Sequence, residues 1–114
     1  TTISRNAPTL QREFMARTLF REGNLARQQK EYVLAIAKYS RIFSAFHDIE
    51  TQSDRARIAA AETHLEQRSD KRALAQAIRI LKGGHDTTLM NSTIFRLQQL
   101  PLASSTPEME TETP

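Results

Sequence analysis

Apolar residues recur along the chain at helical rather than alternating spacing. Between Thr9 and Gln28, the residues Leu10, Phe14, Met15, Leu19, Leu25 and Ala26 form one broad apolar face, with Arg12, Arg17, Arg21 and Arg27 between them, and predict a first helix. From Tyr32 the spacing is more regular still. Ala35, Ile36, Tyr39, Ile42, Phe43 and Phe46 follow helical steps and predict a second helix.

No Gly or Pro lies between Arg27 and Glu31, so propensity alone allows one continuous helix from Thr9 to Phe46. At 1.5 Å per residue that rod would be about 57 Å long, too long to share one compact core in so small a domain. The break is therefore expected near Gln28 to Lys30. Gly23 sits inside the first pattern, where it costs about 1 kcal/mol relative to alanine and so predicts a neighbour that uses the missing side chain. Phe14, Phe43 and Phe46 are assigned to the core, the usual fate of aromatic residues at helical spacing.

Start and stop signals order the remainder. His47 to Gln52 reads as a connection. Ser53 and Asp54 then read as the start of a third helix running to about Gln67, a capping hydroxyl followed by a carboxylate at the positive end of the dipole. Its face of Ala56, Ala59, Ala60, Ala61 and Leu65 is small enough for a neighbour to approach closely. Ser69 and Asp70 open a fourth helix, carrying Ala73, Leu74, Ala77, Ile78 and Leu81 and stopped by Gly83 and Gly84. Asp86 or Thr87 caps a fifth, in which Leu89, Met90, Ile94, Leu97 and Leu100 recur before Pro101. This last helix is expected to cover an open end of the stack.

The fold class that follows is all-α, about five helices forming one domain over residues 9–102. Residues 1–8 lack periodicity, and Pro8 biases Ala7 away from helix, so a flexible lead-in is expected there. Residues 103–114 are polar, acidic and proline-containing, and are expected to be disordered.

Composition narrows the function classes. The chain has no cysteine, which excludes disulfides and thiolate chemistry. It has no apolar run near the roughly 18 residues of a membrane span and no signal-peptide pattern. It does not begin with methionine, which leaves room for an upstream segment, so the compartment stays open. The formal charge of +3 hides an asymmetry: Glu108, Glu110 and Glu112 stand without a base in the tail, and 16 bases face 10 acids elsewhere, a charge of +6. A basic body can attract nucleic acid, anionic lipid or an acidic peptide.

The first two helices resemble a tetratricopeptide repeat, a helix-turn-helix unit of about 34 residues with small residues at fixed places. Leu19 matches the large apolar position of its first helix and Gly23 the small packing position, while Tyr32, Ala35 and Tyr39 match the aromatic, small and aromatic positions of its second. Glu22, Ala26, Ile42 and His47 depart from the usual leucine, aromatic, alanine and proline. The third and fourth helices resemble a degenerate second copy with Ala61, Ala73 and Ala77 at small positions, so the likeness spans residues 16–82. The glycine-asparagine, tyrosine and alanine pattern also resembles three-helix microtubule-interacting-and-transport domains, against which the fourth and fifth helices argue.

The tetratricopeptide resemblance implies antiparallel hairpins in a superhelix with a capping helix, and a groove lined by the first helix of each hairpin. By position it assigns Arg17, Phe20, Asn24 and Arg27 to that groove from the first hairpin, and Arg55, Ile58, Glu62 and Leu65 from the second. Asn24 matches the asparagine that clamps peptide backbone or carboxylate in some members. Phe20 stands where those clamps have lysine, and Glu62 where they have a second asparagine, so a mixed apolar and polar groove is expected rather than a terminal-carboxylate clamp.

Other chemistries find little footing. His47, His64 and His85 fall at no metal-ligand spacing, and Lys82-Gly83-Gly84-His85 lacks the rest of a phosphate loop. Asn91-Ser92-Thr93 is a glycosylation sequon inside a predicted helix. No nucleophile, base and orienter can be assembled from the sequence, and no cofactor is expected. The expected function is a non-enzymatic interaction module, an adaptor, chaperone or assembly factor taking a peptide or helix of another protein, with a homodimer or packing against the remainder of a larger protein adding stability. The alternatives are a nucleic-acid binder using Arg55, Arg57, Arg68, Lys71, Arg72, Arg79 and Lys82, or a structural subunit of a larger assembly.

Overall fold

The computed structural model describes the backbone of residues 2–102 and the side chains of residues 8–102. The tail residues 103–114, expected to be disordered, lie outside the described residues. Five helices follow in order: α1 (Thr2–Gln28), α2 (Tyr32–Ala45), α3 (Glu50–Gln67), α4 (Lys71–Leu81) and α5 (Thr87–Gln98). Each packs on the next, giving the all-α stack of hairpins that the periodicity predicts. Among the described residues, no helix is long and apolar enough to cross a membrane.

α1 begins at Thr2, ahead of the predicted Thr9, and contains Pro8. Pro8 is exposed and lies near the start of the helix, which runs through it although its ring has no N–H to donate. The expected break falls at Lys30, whose φ of 62° is left-handed. The Lys30 N–H donates to the Arg27 carbonyl (3.0 Å) and the Glu31 N–H to the Ala26 carbonyl (2.8 Å), the paired bonds of a Schellman turn.

Gly23 is needed for space. A Cβ there would stand 2.6 Å from Cε1 of Tyr39, so the expected close neighbour is the Tyr39 ring of α2. Tyr39 is fully buried and its hydroxyl donates to Asn24 Oδ1 (2.6 Å). Gly83 differs: neither it nor Gly84 has a positive φ, and a Cβ on Gly83 would meet only the guanidinium at the far end of the Arg57 side chain.

Two expectations about side chains are corrected. Phe14 is 59% exposed, and Leu10, Met15 and Leu25 are exposed with it. α1 instead buries the face carrying Ala16, Gly23 and Ala26, because small residues let α2 approach while the wide apolar stripe cannot all turn inward. Phe46 is buried and Phe43 packs against the core from its edge.

The third helix starts at Glu50, not Ser53, and Ser53 and Asp54 are buried inside it. The earlier start follows from tertiary contacts on the connection: Arg12 holds Asp48 through Nη1 (2.7 Å) and Nη2 (2.9 Å), and Ile49 packs on the core. The starts of α4 and α5, by contrast, fall where predicted: Asp70, rather than the hydroxyl of Ser69 before it, caps α4 by accepting from the Ala73 N–H (2.9 Å), and Asp86, one of the two candidates, caps α5 by accepting from the Leu89 N–H (3.0 Å).

Two hydrophobic clusters share α3. The first joins Ala16 and Ala26 of α1, Ala35, Tyr39 and Ile42 of α2, and Ala56, Ala59 and Ala60 of α3. The second joins Ala61 and Leu65 of α3 to Ala73, Ala77 and Leu81 of α4 and Met90 and Leu97 of α5. The alanine face of α3 is thus buried on both sides, as its small side chains predict.

Candidate functional site

Long-range ion pairs and hydrogen bonds align the odd-numbered helices side by side and parallel. At one end Arg12 of α1 meets Asp48 just ahead of α3, and Asp54 of α3 accepts the backbone N–H groups of His85 (2.9 Å) and Asp86 (2.8 Å) just ahead of α5. At the other end Arg27 of α1 reaches Glu62 (3.4 Å) and Glu66 of α3, and Arg96 of α5 reaches the second oxygen of Glu62 (2.9 Å).

Between α1 and α3 this arrangement leaves a groove of about 250 Å³. Ala16, Phe20 and Asn24 form its α1 wall with Arg17 and Arg21 on the rim, Ile42 of α2 contributes from below, and Gln52 and Arg55 form the α3 wall. The polar groups are positioned by neighbours. The guanidinium of Arg55 lies 5.0 Å from the centroid of the Phe20 ring, a cation–π contact that holds both side chains at the mouth. Phe20 in turn rests against Tyr39, with ring centroids 5.5 Å apart. The Tyr39 hydroxyl occupies Asn24 Oδ1, which leaves the Asn24 amide nitrogen to donate elsewhere. Gln52 Oε1 is buried and has no hydrogen-bond partner among the described residues.

Arg17, Phe20, Asn24 and Arg55 therefore come together in one place. The other predicted groove residues do not join them. Arg27 is held by Glu66 through Nε (3.0 and 3.1 Å), and its bonds to Glu66 raise its pKa above the ordinary arginine value. Glu62 is shared between Arg27 and Arg96. Ile58 packs on the second cluster, and Leu65 is buried within it. Arg21 and Gln52 are lining residues that the sequence reasoning missed. Each stands one turn from a chosen residue, Arg17 and Arg55 respectively, so extending the helical face by one turn would have found them.

The remaining candidates are dispersed. Arg57 donates to the Ile80 carbonyl (2.8 Å) and lies over the Phe43 ring, Arg68 pairs with Asp70, and Arg72 and Arg79 line a separate depression beside His64. His47 and His85, distant in sequence, stack with ring centroids 4.3 Å apart, and His85 Nδ1 lies 3.1 Å from Asp54. Among the described residues, no group of three or more histidine and carboxylate side chains could hold a metal ion. Thr93 of the sequon is buried, its hydroxyl donating to the Leu89 carbonyl (2.8 Å).

The fold and the groove define an all-α protein of packed helical hairpins with a cationic, partly apolar furrow between parallel helices. Comparison with protein-family descriptions, with curated proteins and with solved structures found no match.

Proposed function

We propose that this chain is a non-enzymatic interaction module of tetratricopeptide type that docks a segment of a partner protein in the groove between α1 and α3. The observation that carries this reading is the convergence of Arg17, Phe20, Asn24 and Arg55 on one furrow. The groove offers what a peptide needs. Phe20 and Ile42 supply apolar surface, the Asn24 amide a donor, and three arginines a positive rim. Binding here is burial and hydrogen bonding, with no bond made or broken.

The test is capture of partners by the unaltered chain and by an Arg17→Glu, Asn24→Ala variant whose helicity is verified by circular dichroism. Replacing Arg21 with a photo-crosslinking residue then maps what lies at the rim. Loss of the captured partner, with crosslinks from position 21 to that same partner, is expected. Undiminished capture of every partner would overturn the groove assignment.

A further inference from the structure

The lining of the groove carries a charge that it does not neutralise itself. Among the described residues, Arg17, Arg21 and Arg55 line it and no acidic residue does. Among the described residues none of the three is in an ion pair, although Arg12, Arg27, Arg68 and Arg96 all are. Exposed positive charge gathered along one groove, with no acidic lining to neutralise it, favours an anionic occupant.

The spacing of that charge selects among anions. Arg17 and Arg21 are one turn apart, about 6 Å along the α1 axis at 1.5 Å per residue. In an extended peptide, residues two apart point to the same side about 6.6 Å from one another. Carboxylates at alternate positions therefore keep step with the two guanidinium groups, and the intervening side chains face away from them. On a helical peptide the same alternation would send successive carboxylates around the axis.

The chain itself contains such a run. Glu108, Glu110 and Glu112 alternate with Met109, Thr111 and Thr113 between Pro107 and Pro114, and residues 103–114 include no base. The segment is also near enough. The described chain ends at Leu102, which packs on the cluster that α5 shares with α3. From α5 across α3 to α1 is two interaxial steps, about 20 Å at 8–10 Å each. Arg21 also lies roughly 12 Å back along the helix axes from the end of α5, a straight path of about 23 Å. Eight extended residues from Leu102 to Glu110 reach about 26 Å and ten to Glu112 about 33 Å, so Glu110 and Glu112 are the glutamates that come level with Arg21 and Arg17.

We propose that the α1–α3 groove takes an extended acidic segment with glutamates at alternate positions, and that residues 108–112 of this same chain are such a ligand, competing with a partner for the groove. This inference rests on the groove reading given above and adds the chemistry of the occupant.

The probe is a fluorescent peptide with the sequence of residues 103–114, its binding followed by anisotropy. The proteins are the full chain, the full chain with Glu108→Gln, Glu110→Gln and Glu112→Gln, and that triple variant with Arg17→Glu and Arg21→Glu added. A tethered competitor acts at an effective concentration on the order of millimolar, so the triple variant is expected to bind the probe about tenfold or more tightly than the unaltered chain. The added arginine reversals are expected to abolish binding, and raising the salt concentration to weaken it. A control peptide of the same composition with its three glutamates consecutive is expected to bind several-fold more weakly.

Failure of the triple variant to bind the probe would overturn the ligand class. Equal affinity of the triple variant and the unaltered chain would overturn occupancy by the chain's own segment. Equal binding of the control peptide would overturn the alternating register. A competition that depends on the chain's own concentration would assign the segment to a neighbouring copy and overturn the reach argument. None of these results touches crosslinking of a partner at position 21, so loss of this inference and loss of the groove reading are distinguishable.

Discussion

Lys30 carries the sharpest turn of the chain in a conformation that suits glycine. Its φ of 62° brings Cβ against the following carbonyl, a strain of about 1 kcal/mol or more that a glycine does not feel. The paired bonds around it close the end of α1, so the strain is offset locally. Lys30→Gly is therefore expected to stabilise the protein by about 1 kcal/mol, read as a higher urea midpoint at unchanged slope. An unchanged or lower midpoint would show that Lys30 makes contacts worth as much as the strain. The sequence has no glycine at this turn, and the break was legible only through the length a continuous helix would have had. Gly23 was the opposite case, since a glycine inside a good helical pattern announces a close neighbour. That the neighbour is Tyr39, and that the Tyr39 hydroxyl then orients Asn24 at the groove, depended on how the two helices meet.

At the scale of elements, α3 is set by contacts beyond its own sequence. Asp54 reads as the first turn of a helix, yet it is buried in α3 and its carboxylate closes the turn ahead of α5 through the N–H groups of His85 and Asp86. Burial pushes its pKa up, but the bonds from the His85 and Asp86 backbones outweigh it, and the group lies below its ordinary 3.8. Since its folded pKa is depressed, its stabilisation is present above the unfolded value and is lost as pH falls from near 3.8 through the folded one. Asp54→Ala leaves two donors unmatched and is expected to cost about 2–3 kcal/mol near neutral pH. The gap from the unaltered protein should narrow in acid, as thermal melts across the carboxylate range would reveal. A gap that persists at low pH would mean that packing, not the carboxylate, is lost. The starts of α4 and α5 were legible because Asp70 and Asp86 each accept from the N–H three positions ahead, a signal contained in the local sequence. Asp54 acts on residues more than thirty positions away, and nothing near it in the chain shows that.

At the scale of the whole molecule, the described residues form two clusters that meet in one helix. Because α3 supplies Ala56, Ala59 and Ala60 to one and Ala61 and Leu65 to the other, damage to either should be felt by both. Leu97, buried at the far end of the second cluster, provides the test. Leu97→Ala is expected to cost about 2–5 kcal/mol and to lower, in a single transition, both helix loss by circular dichroism and exposure of Tyr39 by fluorescence. Two separated transitions would show that the hairpins unfold independently. The groove belongs to this scale as well, since it exists only where α1 and α3 run parallel.

Helix type, helix number and the caps of α4 and α5 could be read from the order of residues, because periodicity and capping act over one or two turns. The small face of α3 was legible for the same reason. Which side of α1 is buried, that Arg27 is bound by Glu66 while Arg17 lines the groove, and that Arg21 and Gln52 belong to it, were decided by packing. Those outcomes depend on partners such as Asp48, Glu62 and Glu66, 35 to 39 positions from the arginines they hold, and such distances leave no periodic trace. A helical face can be drawn from sequence alone, but its neighbour must be in place before it becomes a core, an ion pair or a groove.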